Sequence, residues 1–194
     1  MMNPRELRLV VGLGNPGKEY EGTRHNIGFE IVDELVRREG GSWEEDRKWR
    51  AQKFRGAGVL FLKPLTYMNL SGEAVRKAAD FFKISPQQVL VVYDEMSLPL
   101  GRLRLRESGS AAGHNGIRSV MEHLGTDSVP RLRVGIGSSG PGGAVGHVLG
   151  RFSPAERELV SAVVVESVKA VHSVWEDGLQ VAMNRFNGTK LDVE

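Results

Sequence analysis

Two histidines and four asparagines sit in short polar segments that follow apolar, strand-like runs, and with Asp94 at a further strand exit they suit chemistry on an amide or ester. The segments are Gly12-Leu13-Gly14-Asn15-Pro16-Gly17 running on to Arg24-His25-Asn26, then Lys63-Pro64-Leu65-Thr66-Tyr67-Met68-Asn69, and Gly113-His114-Asn115-Gly116. Any Gly, Asp or Ser can make a turn, so loops that also carry His and Asn point to a binding or catalytic site. A side-chain amide offers a donor and an acceptor, which matches a peptide backbone without reading its side chains. An imidazole can take a proton from water near neutral pH, and a carboxylate on its other nitrogen fixes the tautomer and stabilises the imidazolium. Asp94, at the mouth of Val91-Val92-Tyr93, is the natural carboxylate, with a turn or cap residue as the plainer alternative.

Other chemistries lack their parts. There is no Gly-x-Ser-x-Gly elbow, no cysteine, no His-Glu-x-x-His and no carboxylate cluster, so a covalent serine or thiolate mechanism and a catalytic metal are not expected. Water is the expected nucleophile, with no cofactor. Of the five histidines, His123 and His172 fall in helical patterns and His147 precedes an apolar pair, which makes these three structural or surface residues. His25 and His114 stand apart because both lie in polar loops.

The elements that must position these loops alternate. Leu9 to Leu13 reads as a buried strand, and Ile27 to Arg38 as a helix with Ile27, Ile31 and Leu35 on one side and Gly40-Gly41 as its stop. Trp49 to Gly56 and Val59 to Leu62 read as a hairpin. Ser71 is placed to cap a helix carrying Ala74, Val75, Ala78, Phe81 and Phe82. Val89 to Val92 is a central strand, and the Arg-striped strand that follows leads to a helix from about Asn115 to Leu124. A strand from Leu132 to Ile136 comes next. Ser153-Pro154-Ala155-Glu156 is a capping box that opens a long helix to about Trp175, and a short helix from Leu179 to Phe186 follows.

This order predicts an α/β fold: a single domain over 1–194 with a mixed, mostly parallel twisted sheet and helices on both faces. Ligands gather at the carboxyl ends of such strands. Asn15, the Lys63 to Asn69 segment, Asp94 and the Gly137 to Gly143 segment all leave strands at that edge, so four exits converge.

Composition is that of an ordinary globular chain: 194 residues, 40% hydrophobic, 26% charged and no cysteine. No apolar run reaches the about 18 residues of a membrane span, and no basic start leads into a signal core, so a cytoplasmic protein is expected. The net charge of +2 hides a division. Arg102-Leu103-Arg104-Leu105-Arg106 alternates with period two, and Arg131-Leu132-Arg133 repeats the pattern, so two such strands side by side would make a basic face spaced for phosphates. A solvated outer face is the alternative. Glu44-Glu45-Asp46 reads as a solvated turn.

Gly12-x-Gly14-x-x-Gly17 matches the dinucleotide fingerprint, but a lone match is weak. The fingerprint needs a helix starting within the glycines, whereas Pro16 and the polar stretch Lys18 to Arg24 postpone it. The acidic residue expected about 20 positions on falls inside a helix as Asp33 or Glu34. Nucleotide binding is therefore not the preferred reading.

The motifs resemble those of the bacterial-type peptidyl-tRNA hydrolases. Val11 to Gly17 with Thr23-Arg24-His25-Asn26-Ile27-Gly28, Lys63 to Gly72, Asp94-Glu95 with Leu98-Pro99-Leu100-Gly101, and Gly113 to Gly116 are similar to that family in order and spacing, from about Leu9 to Phe152. The resemblance implies hydrolysis of the ester between a peptide and the terminal ribose of tRNA, by a monomer without a metal, on peptidyl-tRNA dropped by ribosomes or trapped on stalled large subunits. It implies His25 as the base, Asp94 as the carboxylate that keeps it basic, and Asn15 as the residue that separates blocked from unblocked aminoacyl-tRNA. Tyr20, Tyr67, Asn69 and Asn115 match positions that bind the peptide and the 3′ end, and His114 either orders its loop or touches RNA. Tyr67 either stacks on the terminal adenine or packs in the core. Arg104, Arg106 and Arg133 match basic positions that clamp the tRNA 5′ phosphate.

The chain departs from the family pattern at Ala111 and Ala112, where Gly is usual and a positive φ or close approach could matter, and at Met96-Ser97. The rival reading is a non-catalytic RNA-binding protein on the same fold, of the kind that acts in intron splicing. The complete set of polar residues favours the enzyme.

Overall fold

Every residue of Leu9–Gly12 (β1) is buried, as is all of Val89–Glu95 (β5) except its last residue, the mark of strands covered on both faces. The computed structural model describes residues 1–140 and 142–192. In β1, Val10 turns to one side, with Leu90 and Val92, and Leu9 and Val11 to the other, with Val89, Val91 and Tyr93. The first side packs against Ile27–Arg38 (α1), Pro154–Asp177 (α5) and Leu179–Phe186 (α6). The second packs against Ser71–Phe82 (α2) and Asn115–Leu124 (α3). Two apolar layers therefore flank one sheet, as the alternating order of elements predicts.

The sheet has seven strands, in the order β2-β3-β4-β1-β5-β7-β6. The others are Glu44–Asp46 (β2), Ala51–Gly56 (β3), Val59–Pro64 (β4), Leu103–Arg106 (β6) and Arg131–Gly135 (β7). The four central strands, β4, β1, β5 and β7, run parallel, and antiparallel strands border them on both sides. The carboxyl ends of the parallel four thus share one edge, and the convergence of four strand exits holds.

Several local expectations are corrected. Glu44-Glu45-Asp46 is not a free turn but an edge strand, paired antiparallel with β3 through Glu45 opposite Gln52. Its charged residues stay at the outer edge, where like charges discourage further strand pairing. Ser71 is the first residue of α2 and not its cap, because the 3-10 turn Met68–Leu70 runs straight into the helix; its hydroxyl donates to Met68 O at 2.8 Å. The strand expected from Leu132 to Ile136 lies one residue earlier, as β7. Between β7 and α5 the chain forms a further helix, Gly143–Leu149 (α4), whose glycine-rich sequence carries no apolar periodicity to announce it. The Ser153/Glu156 capping box and the α6 bounds are as read.

The glycine fingerprint has a packing purpose. A Cβ at Gly12 would lie 2.4 Å from Gly28 O, and one at Gly28 would lie 2.4 Å from Val92 O, so these glycines let α1 cross close over β1 and β5. No helix opens within the Gly12 to Gly17 loop. Two 3-10 turns, Lys18–Tyr20 and Arg24–Asn26, intervene before α1.

Candidate active site

At the carboxyl end of β5 the Asp94 side chain is buried between two imidazoles. His25, on the 3-10 turn before α1, places Nδ1 2.9 Å from both carboxylate oxygens, and His114 Nε2 lies 2.8 Å from Oδ1. The carboxylate is 1% exposed and the two rings 14% and 11%, so a nearly dry anion faces two partly open imidazoles. Ring centroids are 5.0 Å apart for His25 and His114, and the Tyr93 ring backs His114 at 4.7 Å.

The proton inventory follows from the hydrogen bonds. His114 is the N-cap of α3, and its Nδ1 accepts from the N–H groups of Gly116 and Ile117 at 3.1 and 3.3 Å. A nitrogen that accepts carries no proton, so His114 is neutral and donates Nε2–H to Asp94. His25 Nδ1, facing both oxygens, likewise carries its proton, which leaves Nε2 with a free lone pair. Burial raises the Asp94 carboxyl. The electrostatic attraction and hydrogen bonds of the two imidazoles overcome this and lower it from 3.8 to about 2.

Nitrogen and carboxylate atoms of His25, Asp94 and His114 all lie within 4.8 Å of one another, a grouping that could converge on a cation. The hydrogen bonds oppose that use. Both nitrogens facing Asp94 carry protons, and the other nitrogen of His114 is taken by the helix cap, so a metal would have to break the cap or displace two ring protons.

Asn15 is held with equal care. Its N–H donates to Asn26 Oδ1 and its C=O accepts from Asn26 Nδ2, both at 2.9 Å, while its Oδ1 accepts from Met68 N–H at 2.7 Å. The last bond assigns the amide: its oxygen is spent on the protein, and Nδ2, with no partner among the described residues, is the group on offer. Asn26, quoted in its motif but given no role from sequence, is the residue that sets this geometry; its place beside His25 was the available signal.

Several of the expected residues line three recesses, whereas Tyr20, Tyr67, Asn69 and Arg104 line none of them. His25, Asp94, His114 and Asn115 line one cavity of about 290 Å³, closed on one side by Ala144, Val145 and Val148 of α4. That wall was missed from sequence along with α4. Asn15 and Asn26 line an adjoining cleft with Gly17, Glu21 and Lys63. Tyr67 is 55% exposed, not a core residue, and meets Tyr20 edge-on at 6.5 Å. Asn69 and Asn115 are also exposed, the latter accepting from Arg118 Nη1 at 3.3 Å.

Arg106 and Arg133 line the third recess, beside Tyr93 and the Ser108 to Ser110 segment. Strands β6 and β7 pair with Arg104 opposite Arg133 and Arg106 opposite Arg131, so the arginines do share a face. Arg131 is the exception: it is 1% exposed and donates to the carbonyls of Val129, Ser110 and Asp127. Its guanidinium ties down the loop leading to His114. Arg133 is held by Glu95 at 2.6 Å. In that loop Ala112 adopts φ 46, so the strained position is occupied by a residue with a Cβ.

An α/β sheet whose carboxyl edge presents an imidazole with one free nitrogen, backed by a buried carboxylate, has the parts that general acid–base chemistry needs. The chain belongs to the peptidyl-tRNA hydrolase family, whose pattern it matches over residues 9–194. Relatives bearing that name are 52% identical over 186 residues in Synechococcus sp. strain JA-3-3Ab, covering 93% of this chain and 83% of the relative. In Clostridium botulinum strain Hall the relative is 49% identical, with 95% and 99% covered. The crystal structure of peptidyl-tRNA hydrolase from Acinetobacter baumannii superposes with a TM-score of 0.89 at 35% identity, covering 96% of this chain and 97% of that one. The resemblance read from the motifs and the expected fold class are both borne out.

Proposed function

We propose that this chain hydrolyses the ester between a peptide and the terminal ribose of tRNA, with His25 as general base, Asp94 as its orienting carboxylate and Asn15 as the residue that reads the blocked amino group. The observation that carries the reading is the His25–Asp94 pair at 2.9 Å with Nε2 of His25 left free. In the reaction, Nε2 accepts a proton from water as the oxygen attacks the ester carbonyl carbon. The carbonyl electron pair moves to the oxygen, the tetrahedral intermediate collapses, and the ribose oxygen leaves with the proton returned by the imidazolium. Asp94 stabilises that imidazolium through Nδ1–H and does not itself take the proton. His114 keeps Asp94 fixed and charged.

Asn15 gives discrimination a physical basis. Its free Nδ2 donates, which suits the carbonyl oxygen of a blocked amino group or a developing oxyanion and opposes the ammonium of a free aminoacyl-tRNA. One mispaired amide costs about 1–3 kcal/mol. Tyr20, Tyr67, Asn69 and Asn115 are suited to hold the peptide and the 3′ end: the exposed Tyr67 offers a base-stacking face and the asparagines offer amides free of protein partners or nearly so. Arg104, Arg106 and Arg133 would take the 5′ phosphate, with Glu95 releasing Arg133 as the anion arrives.

The protein is proposed to act as a single-domain monomer over 1–194 in the cytoplasm, on free peptidyl-tRNA and on stalled ribosomal large subunits. No helix among the described residues is long and apolar enough to cross a membrane. The test is incubation with an N-acetyl-aminoacyl-tRNA and with its unblocked counterpart. Release of intact tRNA from the blocked substrate alone supports the reading, and binding without cleavage opposes it.

A further inference from the structure

The turn that carries His25 is strapped to a distant part of the chain by two arginines that the hydrolytic scheme does not use. Arg24 Nη1 donates to Arg151 O at 2.9 Å and its Nη2 to Glu156 Oε2 at 2.9 Å. Its backbone N–H donates to Gly150 O at 2.9 Å, and Thr23 bridges Arg151. Arg157 Nη2 donates to Gly22 O at 2.7 Å, and its Nη1 pairs with Glu30 on α1 at 3.3 Å. The Phe152 ring centroid lies 5.2 Å from each of the two guanidinium groups. Glu156 also accepts from Ser153 N–H at 2.6 Å, so one carboxylate both caps α5 and holds Arg24.

A guanidinium beside a catalytic base invites a reading as a phosphate ligand. The geometry assigns another role: Arg24 is 14% exposed, and both terminal nitrogens are spent on the protein. The same clasp includes Gly150, which ends α4, the helix that walls the His25 cavity. The catalytic turn, that wall and the start of α5 are therefore one tied unit.

We propose that Arg24 and Arg157 are positioning residues that clamp the Gly22 to Asn26 turn onto the Gly150 to Arg157 segment, holding the His25 ring in register with Asp94. The proposal rests on the role assigned to His25 above. The clamp acts on rate and not on binding, because a misplacement of about 1 Å at a reacting group can cost on the order of a hundredfold.

The test compares Arg24→Ala and Glu156→Gln with the wild type and with Arg76→Ala, a control whose side chain bonds Asp80 and His123 O among the described residues. Gln retains a capping-box acceptor at position 156 while losing the charge that holds Arg24, so this variant decides the matter if Arg24→Ala does not fold. The readouts are kcat and KM on N-acetyl-aminoacyl-tRNA, and the His25 Nδ1–H proton resonance, assigned by its loss in His25→Ala.

The expected result is a kcat lowered at least roughly tenfold in Arg24→Ala and about threefold in Glu156→Gln, with KM nearly constant and the resonance shifted or broadened. Millimolar guanidinium ion should restore part of the rate of Arg24→Ala. The proposal is overturned if both variants keep wild-type kcat, if KM alone rises, or if stability falls while the resonance stays in place. Should His25→Ala hydrolyse at the wild-type rate, the hydrolytic reading fails, and the resonance alone judges the clamp: movement supports it and constancy overturns it.

Discussion

Replacing Asp94 by Asn tests the proton inventory of the site. The two nitrogens that face Asp94 both donate to it, and an amide offers one acceptor and one donor in place of two acceptors. His114 cannot adapt, because its Nδ1 must keep accepting from Gly116 and Ile117, so the Asn oxygen goes to His114 and its NH2 faces His25. Nδ1 of His25 then becomes the acceptor, the ring proton moves to Nε2, and the base is blocked. The loss is that of a general base, about 10²–10⁴ in kcat, or roughly 3–5 kcal/mol at 1.36 kcal/mol per tenfold. KM should be nearly unchanged, because no substrate contact is removed. Single-turnover hydrolysis of N-acetyl-aminoacyl-tRNA measures the effect, and a variant within fivefold of the wild type would refute the tautomer argument. Acid unfolding reports on the same group. The folded carboxyl lies at about 2, below its ordinary 3.8, so the stabilisation it contributes is present above roughly pH 5 and is lost as pH falls through about 2. The Asn variant should lack that component.

Three further outcomes follow from the neighbouring residues. Asn15→Asp keeps the bond from Met68 N–H but turns the free donor into an acceptor that welcomes an ammonium. The ratio of unblocked to blocked substrate hydrolysis should rise by roughly 5- to 150-fold, the range that about 1–3 kcal/mol allows, and a constant ratio in parallel assays removes Asn15 from discrimination. Arg106→Ala should weaken tRNA binding and reduce the slope of log affinity against log salt by about one, with hydrolysis of a minimal ester nearly unchanged; titrations at several salt concentrations check this, and an unaltered slope counts against a phosphate contact. Treatment with a strong chelator should leave kcat unchanged, because ring protons and not a cation hold Asp94, whereas loss of activity restored by added metal would reverse that assignment.

Much of this site was legible because the chain concentrates its polar residues where buried strands end. The uninterrupted apolar run before Asp94 marked a strand covered on both faces, and an acid at its mouth read either as the carboxylate that orients a histidine or as a turn or cap residue. His25 and Asn15 were legible for the same reason. The role of His114 was not, because the N-cap that fixes its tautomer depends on where α3 begins in space. Arg131 and Arg133 read alike in a period-two pattern and share a face, yet one is buried under the loop carbonyls of Ser110 and Asp127 and the other faces Glu95; the loop packing, which alternation does not encode, separates them. Helix α4 gave no signal, since glycines and short apolar residues carry no period, and its end is tied at Gly150 to Arg24, far earlier in the chain. Ser71 looked like a cap because its type is right, but the 3-10 turn before it leaves no extended residue for a cap to occupy.

The central claim is that Nε2 of His25 takes the proton from water. Its most direct test is His25→Ala, assayed on N-acetyl-aminoacyl-tRNA with tRNA binding measured in parallel. The account predicts a rate lower by about a hundredfold or more with affinity retained. A variant that still cleaves within tenfold of the wild-type rate would contradict it and place the base elsewhere in the cavity.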